Sequence, residues 1–364
     1  MQPSILTVLA TYKCTAACKE CCFECSPQVQ GRIPLDRILG YIEEACDTVP
    51  TLRLVVFSGG ECFLLGKDLD AAVACASRRG KLTRTVTNGY WAHSPEAARK
   101  RIGALKEAGL GELNISTGDD HQEFVPFERV VNGAIAGAEL GLTTLIVVEG
   151  FENSRFTIYD ALAHPRLKSF RETHPNGHLL QIMRNIWMPF HQERELRHTD
   201  EIYRKPERIP LLGGCDNVLH NMVVTPDEHL ASCCGLTMEH IPEMKLGKLG
   251  EHSIAELVSR GLDDFLKRWI WLDGPDAVLW FARQKDPRVP YPEKNVHPCE
   301  ACAQFYLNPL AREAVRDHWR EIADDVLLRY ELKVRMLARR DPADGGRAAA
   351  QPSADPAASR VGHG

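Results

Sequence analysis

The sequence predicts an α/β fold: a partial (β/α)6 barrel with a small C-terminal cysteine-rich α+β extension. Three observations lead there. Apolar runs alternate with amphipathic helical patterns from residue 1 to about residue 205, the sequence form of parallel βαβ units. Polar motifs fall just after the apolar runs, where parallel β/α architectures collect their functional groups. Thirteen cysteines are unevenly placed, five between Cys14 and Cys25 and five between Cys215 and Cys302.

The pattern predicts strands over residues 5–11, 52–58, 83–87, 112–117, 144–149 and 179–183. Amphipathic helices are predicted over 34–49, 66–79, 95–108 and 127–140. Six βα repeats are too few to close an eight-stranded TIM-like barrel, so a partial barrel or open curved sheet is expected. Residues 194–208 are rich in charge and contain proline, which reads as a linker with a boundary near Ile209. Residues 218–224 and 230–235 flank the turn Thr225-Pro226-Asp227-Glu228 as a β-hairpin, and a helix is expected to start near Ser253. Residues 308–340 read as one long amphipathic helix. Residues 341–364 are rich in Ala, Gly, Pro, Ser and Asp and are expected to be disordered. The expected organisation is a core over 1–208, a cysteine-rich domain over 209–305, a terminal helix over 306–340 and the tail.

Composition sets the outer bounds. The 364 residues suffice for one large domain and a smaller one, and 44% hydrophobic with 26% charged residues is ordinary for a globular protein. A net charge of −5 argues against non-specific binding to nucleic acid or an anionic membrane. No apolar run approaches the roughly 20 residues of a membrane span. Residues 1–10 are too short for a secretory signal and lack its basic start, so a cytoplasmic location is expected. In that compartment disulfides are rare, and two dense cysteine groups read as two metal sites. Cys46, Cys62 and Cys75 lie apart and read as small buried hydrophobes.

The first group, Cys14-x3-Cys18-x2-Cys21, directly follows the first strand. Thiolates this close can converge on one soft metal centre, and three of them leave an iron–sulfur cube with one open iron. Cys18-x3-Cys22-x2-Cys25 has the same spacing. The first register is preferred because only Thr11-Tyr12-Lys13 separates Cys14 from the strand. The second strand ends in Ser58-Gly59-Gly60-Glu61, where glycines permit close backbone approach and a carboxylate follows. The third ends in Thr87-Asn88-Gly89, and the fourth runs Asn114-Ile115-Ser116-Thr117-Gly118-Asp119-Asp120-His121, with Asn114 and Ser116 on one face and Ile115 on the other. The fifth ends at Glu149, with Arg155 beyond.

The triad and these strand-end motifs, in this order, resemble the radical S-adenosylmethionine (radical SAM) enzymes. The resemblance implies that Cys14, Cys18 and Cys21 hold a [4Fe–4S] cluster, and that S-adenosylmethionine (AdoMet) lies against Gly59, Gly60, Glu61, Asn88, Ser116, Asp119 and Glu149. A flavodoxin or ferredoxin supplies the electron that cleaves AdoMet, and a 5′-deoxyadenosyl radical then takes a hydrogen atom from substrate. Family members usually carry an aromatic residue before the third cysteine, where this chain has Glu20 (or Glu24 in the other register). His121 lies close enough in sequence to be a further site residue.

The second cysteine group resembles the SPASM or twitch extensions of the same enzymes. The implied auxiliary [4Fe–4S] cluster is ligated by Cys215, Cys233 or Cys234, Cys299 and Cys302. A zinc site would use the same thiolates. One cluster can hardly use both adjacent cysteines, so Cys233 is taken as ligand and Cys234 as a thiol that could donate a hydrogen atom to a substrate radical; a buried cysteine without a role is the plainer reading. The substrate implied is a ribosomally made peptide, epimerised or cross-linked, held by the core, the C-terminal part or a separate peptide-recognition protein. A small-molecule precursor such as a sugar is the alternative. A zinc-binding or electron-transfer protein would leave Gly59-Gly60-Glu61 without purpose.

Overall fold

The computed structural model describes residues 2–190 and 196–340. The expected tail, and Arg194 at the start of the expected linker, lie outside the described residues. Two compact units account for the described residues: those of 2–197 with Asn217–Asp263, and His198–Asp216 with 264–340.

The first unit is built on one nine-stranded sheet. Six strands, β1 (Ile5–Leu9), β2 (Leu54–Ser58), β3 (Leu82–Thr87), β4 (Glu112–Thr117), β5 (Thr143–Gly150) and β6 (Leu180–Ile186), pair in parallel as sequential neighbours. Helices Leu35–Thr48, Lys67–Arg78, Pro95–Glu107 and Phe127–Glu139 connect them. Alternation along the strands decides which side the helices cover. Leu6, Val8, Val55, Phe57, Leu113, Ile115, Ile146 and Val148 all enter the main core, packed by Ile38, Ile42, Leu69, Ile102 and Val130 from the helices. Residues of the other face, such as Arg84, Asn114, Ser116, Leu145 and Val147, are half-buried. The sheet is not closed: β6 ends one edge and β9 the other. This is the α/β partial barrel the pattern predicts.

The hairpin β7 (Asn221–Val224) and β8 (His229–Ala231) forms across the expected turn. It continues the main sheet: β7 pairs in parallel with β1, Ile5 opposite Asn221 and Val8 opposite Val224. Strand β9 (Lys245–Lys248) adds antiparallel to β8. The boundary expected at Ile209 therefore falls inside a segment that groups with Asp264 onward, while the hairpin groups with the strands before it.

The second unit is helical: Phe265–Lys285, Pro298–Leu307, Pro309–His318 and Arg320–Arg340. Two details differ from the sequence pattern. The single helix expected over 308–340 is two, broken at Trp319, whose ring packs on Phe265 with centroids 5.2 Å apart. Phe265–Lys285, not predicted, is kinked where Gly274 takes φ 83° before Pro275, the backbone signature of a break. Just past the kink, a buried ion pair holds the helix to the segment before it, Arg204 gripping Asp276 with Nε at 3.1 Å and Nη2 at 2.8 Å.

Candidate functional site

The first cysteine loop is held at the carboxyl end of β1. Cys14 N–H donates to the Ser26 carbonyl (3.1 Å), closing residues 14–26 into a loop. Inside it, Cys21 N–H donates to Cys18 O and Glu24 N–H to Cys21 O, with Glu24 in the left-handed region at φ 50°. Two amides are aimed at sulfur: Ala16 N–H at Cys14 Sγ and Cys25 N–H at Cys21 Sγ, each 3.4 Å. Asn88 Nδ2, from the end of β3, donates to Thr15 Oγ1 (3.0 Å) and lies 3.6 Å from Cys14 Sγ. Cys14, Ala16 and Cys25 form a small buried cluster, with Cys18, Cys21, Tyr12 and Phe23 packed on it.

Burial pushes the Cys14 thiol up to about 11, and burial reinforced by Glu149 raises Cys18. The Cys25 side-chain hydrogen bond pulls Cys21 down to about 6 against burial. Among the described residues no three Cys, His, Asp or Glu side chains converge on one metal-sized point. The donor set nevertheless fits an iron–sulfur group: soft thiols gathered at a strand end, with amide hydrogens directed at the sulfurs as such clusters use to tune their potential.

The glycine pair at the end of β2 presses against this loop. Gly60 N–H donates to Thr11 O (2.7 Å) and Glu61 N–H to Lys13 O (3.0 Å). A Cβ on Gly60 would collide with the Lys13 carbonyl, and one on Gly59, at φ 125°, with that of Thr11. The close approach that glycine permits here is therefore backbone to backbone. Glu61 is fully buried; its carboxylate accepts from Phe63 N–H, Thr87 Oγ1 and Asn88 N–H at 2.8–2.9 Å. Burial still raises its pKa to about 7 against those bonds.

The ends of β4 and β5 supply the rest. Ser116 and Asn114 share the half-buried face and Ile115 the core face, as the alternation predicts. The buried Asn114 Oδ1 has no hydrogen-bond partner. His121 Nδ1 contacts the Glu149 carboxylate, and both side chains are largely buried. Burial pushes Glu149 up; at His121 burial acts downward but Glu149 outweighs it, so the imidazole sits above its ordinary range. Asp119 accepts from Arg155 N–H and Phe156 N–H, both 2.8 Å, and so fixes the segment after β5.

Sequence reasoning did not foresee the role of Glu20 and Asp120. Glu20 N–H donates to Asp120 Oδ2 (3.3 Å), and Glu20 Oε2 accepts from Phe190 N–H (2.6 Å). The backbone of Glu20 thus ties the cysteine loop to the end of β4, while its carboxylate holds Phe190. The available signal was the acidic pair directly after a strand. Tyr12 stacks on Phe23 (5.9 Å) and its hydroxyl contacts Glu239, anchoring the loop before β9.

The C-terminal cysteines divide between the units. In the first, Cys233 is buried and Cys234 Sγ donates to Asn217 Oδ1 (3.5 Å). Ser232 O accepts from Leu219 N–H, so both cysteines lie by the amino-terminal end of β7, level with Ile5. The Cys14 loop leaves the opposite, carboxyl end of β1. The structure does not bring Cys234 to that loop. In the second unit, Cys215 N–H donates to Ile270 O (3.0 Å). Cys299 and Cys302 open helix Pro298–Leu307, capped by the His297–Glu300 box. Burial holds the His297 imidazole down at about 4.

No family model matches the chain. It is similar to two structures of one protein. With anSMEcpe with bound AdoMet it shares 14% identity at TM-score 0.52, over 91% of this chain and 98% of that one. With native anSMEcpe with bound AdoMet and Cp18Cys peptide the figures are 13%, 0.50, 90% and 100%. The chain shares the fold of these structures. YydG of Bacillus subtilis (strain 168), a protein whose name assigns it to peptide biosynthesis, is 27% identical over 120 residues. The match spans 33% of this chain and 37% of that protein. In this fold, Cys14–Cys21, Gly59–Glu61, Asn88, Ser116, Asp119 and Glu149 all stand at or just beyond the carboxyl ends of β1 to β5.

Proposed function

We propose that this chain is a radical SAM enzyme that matures a ribosomally made peptide by epimerisation or cross-linking. The observation that carries the reading is the Cys14–Cys21 loop, with two amides and Asn88 turned toward its sulfurs at the carboxyl end of a parallel sheet. Cys14, Cys18 and Cys21 would hold the cluster. Gly59, Gly60, Glu61, Asn88, Ser116, Asp119 and Glu149 would receive AdoMet. Bound there, cluster and AdoMet supply removal of a hydrogen atom from a C–H bond. The chain's own residues set the geometry: Gly60 and Glu61 lock the strand-end loops together, Asn88 orients Cys14, and the His121–Glu149 pair fixes the wall after β4.

A peptide substrate is favoured by the peptide in one anSMEcpe structure and by the name of YydG. A flavodoxin or ferredoxin would deliver the electron, and a separate recognition protein could present the peptide. Cys215, Cys233, Cys299 and Cys302 would ligate an auxiliary [4Fe–4S] cluster. Cys234 serves as hydrogen donor only if substrate reaches the amino-terminal edge of β7. Unchanged deuterium uptake from solvent in Cys234→Ala would end that role.

The decisive test is anaerobic reconstitution with iron and sulfide, then dithionite and AdoMet. A brown protein that releases 5′-deoxyadenosine is expected; Cys14→Ala should lose the cleavage and about half of the iron. Colourless protein that leaves AdoMet intact overturns the reading.

A further inference from the structure

Helix Arg320–Arg340 has more apolar surface than its own unit uses. Its inner face is filled: Ala323, Val326 and Tyr330 are buried, and Tyr330 packs edge-on against Trp271 with Arg268 over its ring. Its outer face carries Leu328, Leu332 and Met336, which are 61%, 51% and 60% exposed. A spacing of four residues aligns them in one stripe, the pattern of a surface that another helix covers.

Charge along that face is ordered. Exposed Glu321, Asp324 and Asp325 precede the Leu328–Leu332 pair, exposed Glu331 lies beside it, and exposed Arg335 follows it. Reversing the helix about position 330 sends Leu328 onto Leu332 and Asp325 onto Arg335. A parallel arrangement would set Asp325 against Asp325 and Arg335 against Arg335, like charges facing each other.

We propose that this helix pairs antiparallel with the same helix of a second copy of the chain, across a two-fold axis near residue 330. Leu328 packs on the partner's Leu332, and Asp325 faces the partner's Arg335. Two-fold symmetry repeats each pair, so one surface is complementary to itself. Asp325 already pairs with Arg329 at 2.7 Å within its own helix, and its 66% exposed side chain leaves the carboxylate open to a second cation. One helix face buries less than the roughly 1,200–2,000 Å² of a standard stable interface, so the dimer forms in the micromolar range.

The test is sedimentation equilibrium of the full chain from roughly 1 to 200 μM at low and moderate salt. Wild type is expected to pass from monomer to dimer over that range. Asp325→Arg and Arg335→Asp should each weaken the dimer about tenfold or more, and the double variant should restore it. Leu332→Glu should leave a monomer. Circular dichroism of each variant separates lost pairing from lost helix; where a reversal unfolds the helix, Asp325→Asn and Arg335→Gln replace it, each expected to weaken the dimer. A wild type monomeric at the highest concentration overturns the proposal, as when the tail or another protein covers the stripe. So does a dimer indifferent to Leu332→Glu, or one that the paired charge swap fails to restore.

Discussion

Glu61 shows how one residue can serve fold and site together. Its carboxylate ties β2 to β3 through Thr87 and Asn88, and full burial raises its pKa to about 7. The unfolded value lies near 4.5. The folded state therefore binds the proton more tightly, and the stability this group contributes is present below about pH 4.5 and lost as pH rises to 7. The loss is of order 3 kcal/mol. Urea unfolding across that window should show the decline, and Glu61→Gln should flatten it while lowering stability throughout. Gly60 acts differently: its missing side chain lets two backbones touch. Gly60→Ala is expected to cost about 2–4 kcal/mol, read as a lower melting temperature together with poorer iron retention, since the displaced strand-end loop carries Cys14.

At the scale of elements, period and punctuation were legible, and tertiary pairing was not. Strands at 83–87 and 112–117 stand in the structure as Leu82–Thr87 and Glu112–Thr117, because β-branched runs bounded by glycine turns leave few alternatives. The break at Trp319 was hidden, since residues 308–340 keep an amphipathic pattern throughout and only packing on Phe265 marks the interruption. Phe265–Lys285 was hidden by its own apolarity: Trp269, Ile270, Trp271, Val278 and Leu279 are all buried, and a helix covered on several sides has no clear period. Just past its kink, Asp276 pairs with Arg204, side-chain exposures 1% and 14%. Asp276→Ala strands a buried guanidinium and is expected to cost about 3–5 kcal/mol by chemical denaturation, with little effect on the first cluster, because these residues belong to the other unit.

At the scale of the molecule, the proposed two-cluster composition makes an iron count informative. Cys299→Ala combined with Cys302→Ala should halve the iron of reconstituted protein while leaving the AdoMet-dependent spectrum of the first cluster. Cys14→Ala should remove the other half. Should the paired C-terminal variant retain full iron, the auxiliary site is absent. The net charge of −5 makes a further expectation: the protein should not be retained on heparin at physiological salt.

The sequence by itself determined the six parallel strands and the four helices between them, the two faces of the fourth strand, and the gathering of Cys14–Cys21 and the polar motifs at strand ends. These depend on chain-local properties, period and spacing, that any fold of this chain must respect. The tertiary structure alone decided that the hairpin extends the main sheet beside β1, which puts Cys233 and Cys234 at the edge opposite the Cys14 loop. It alone decided that the glycine pair meets backbone and that Glu20 docks on Asp120. Strand partners distant in sequence are chosen by burial and hydrogen-bond satisfaction over the whole unit, and the amino-acid order carries no local mark of that choice.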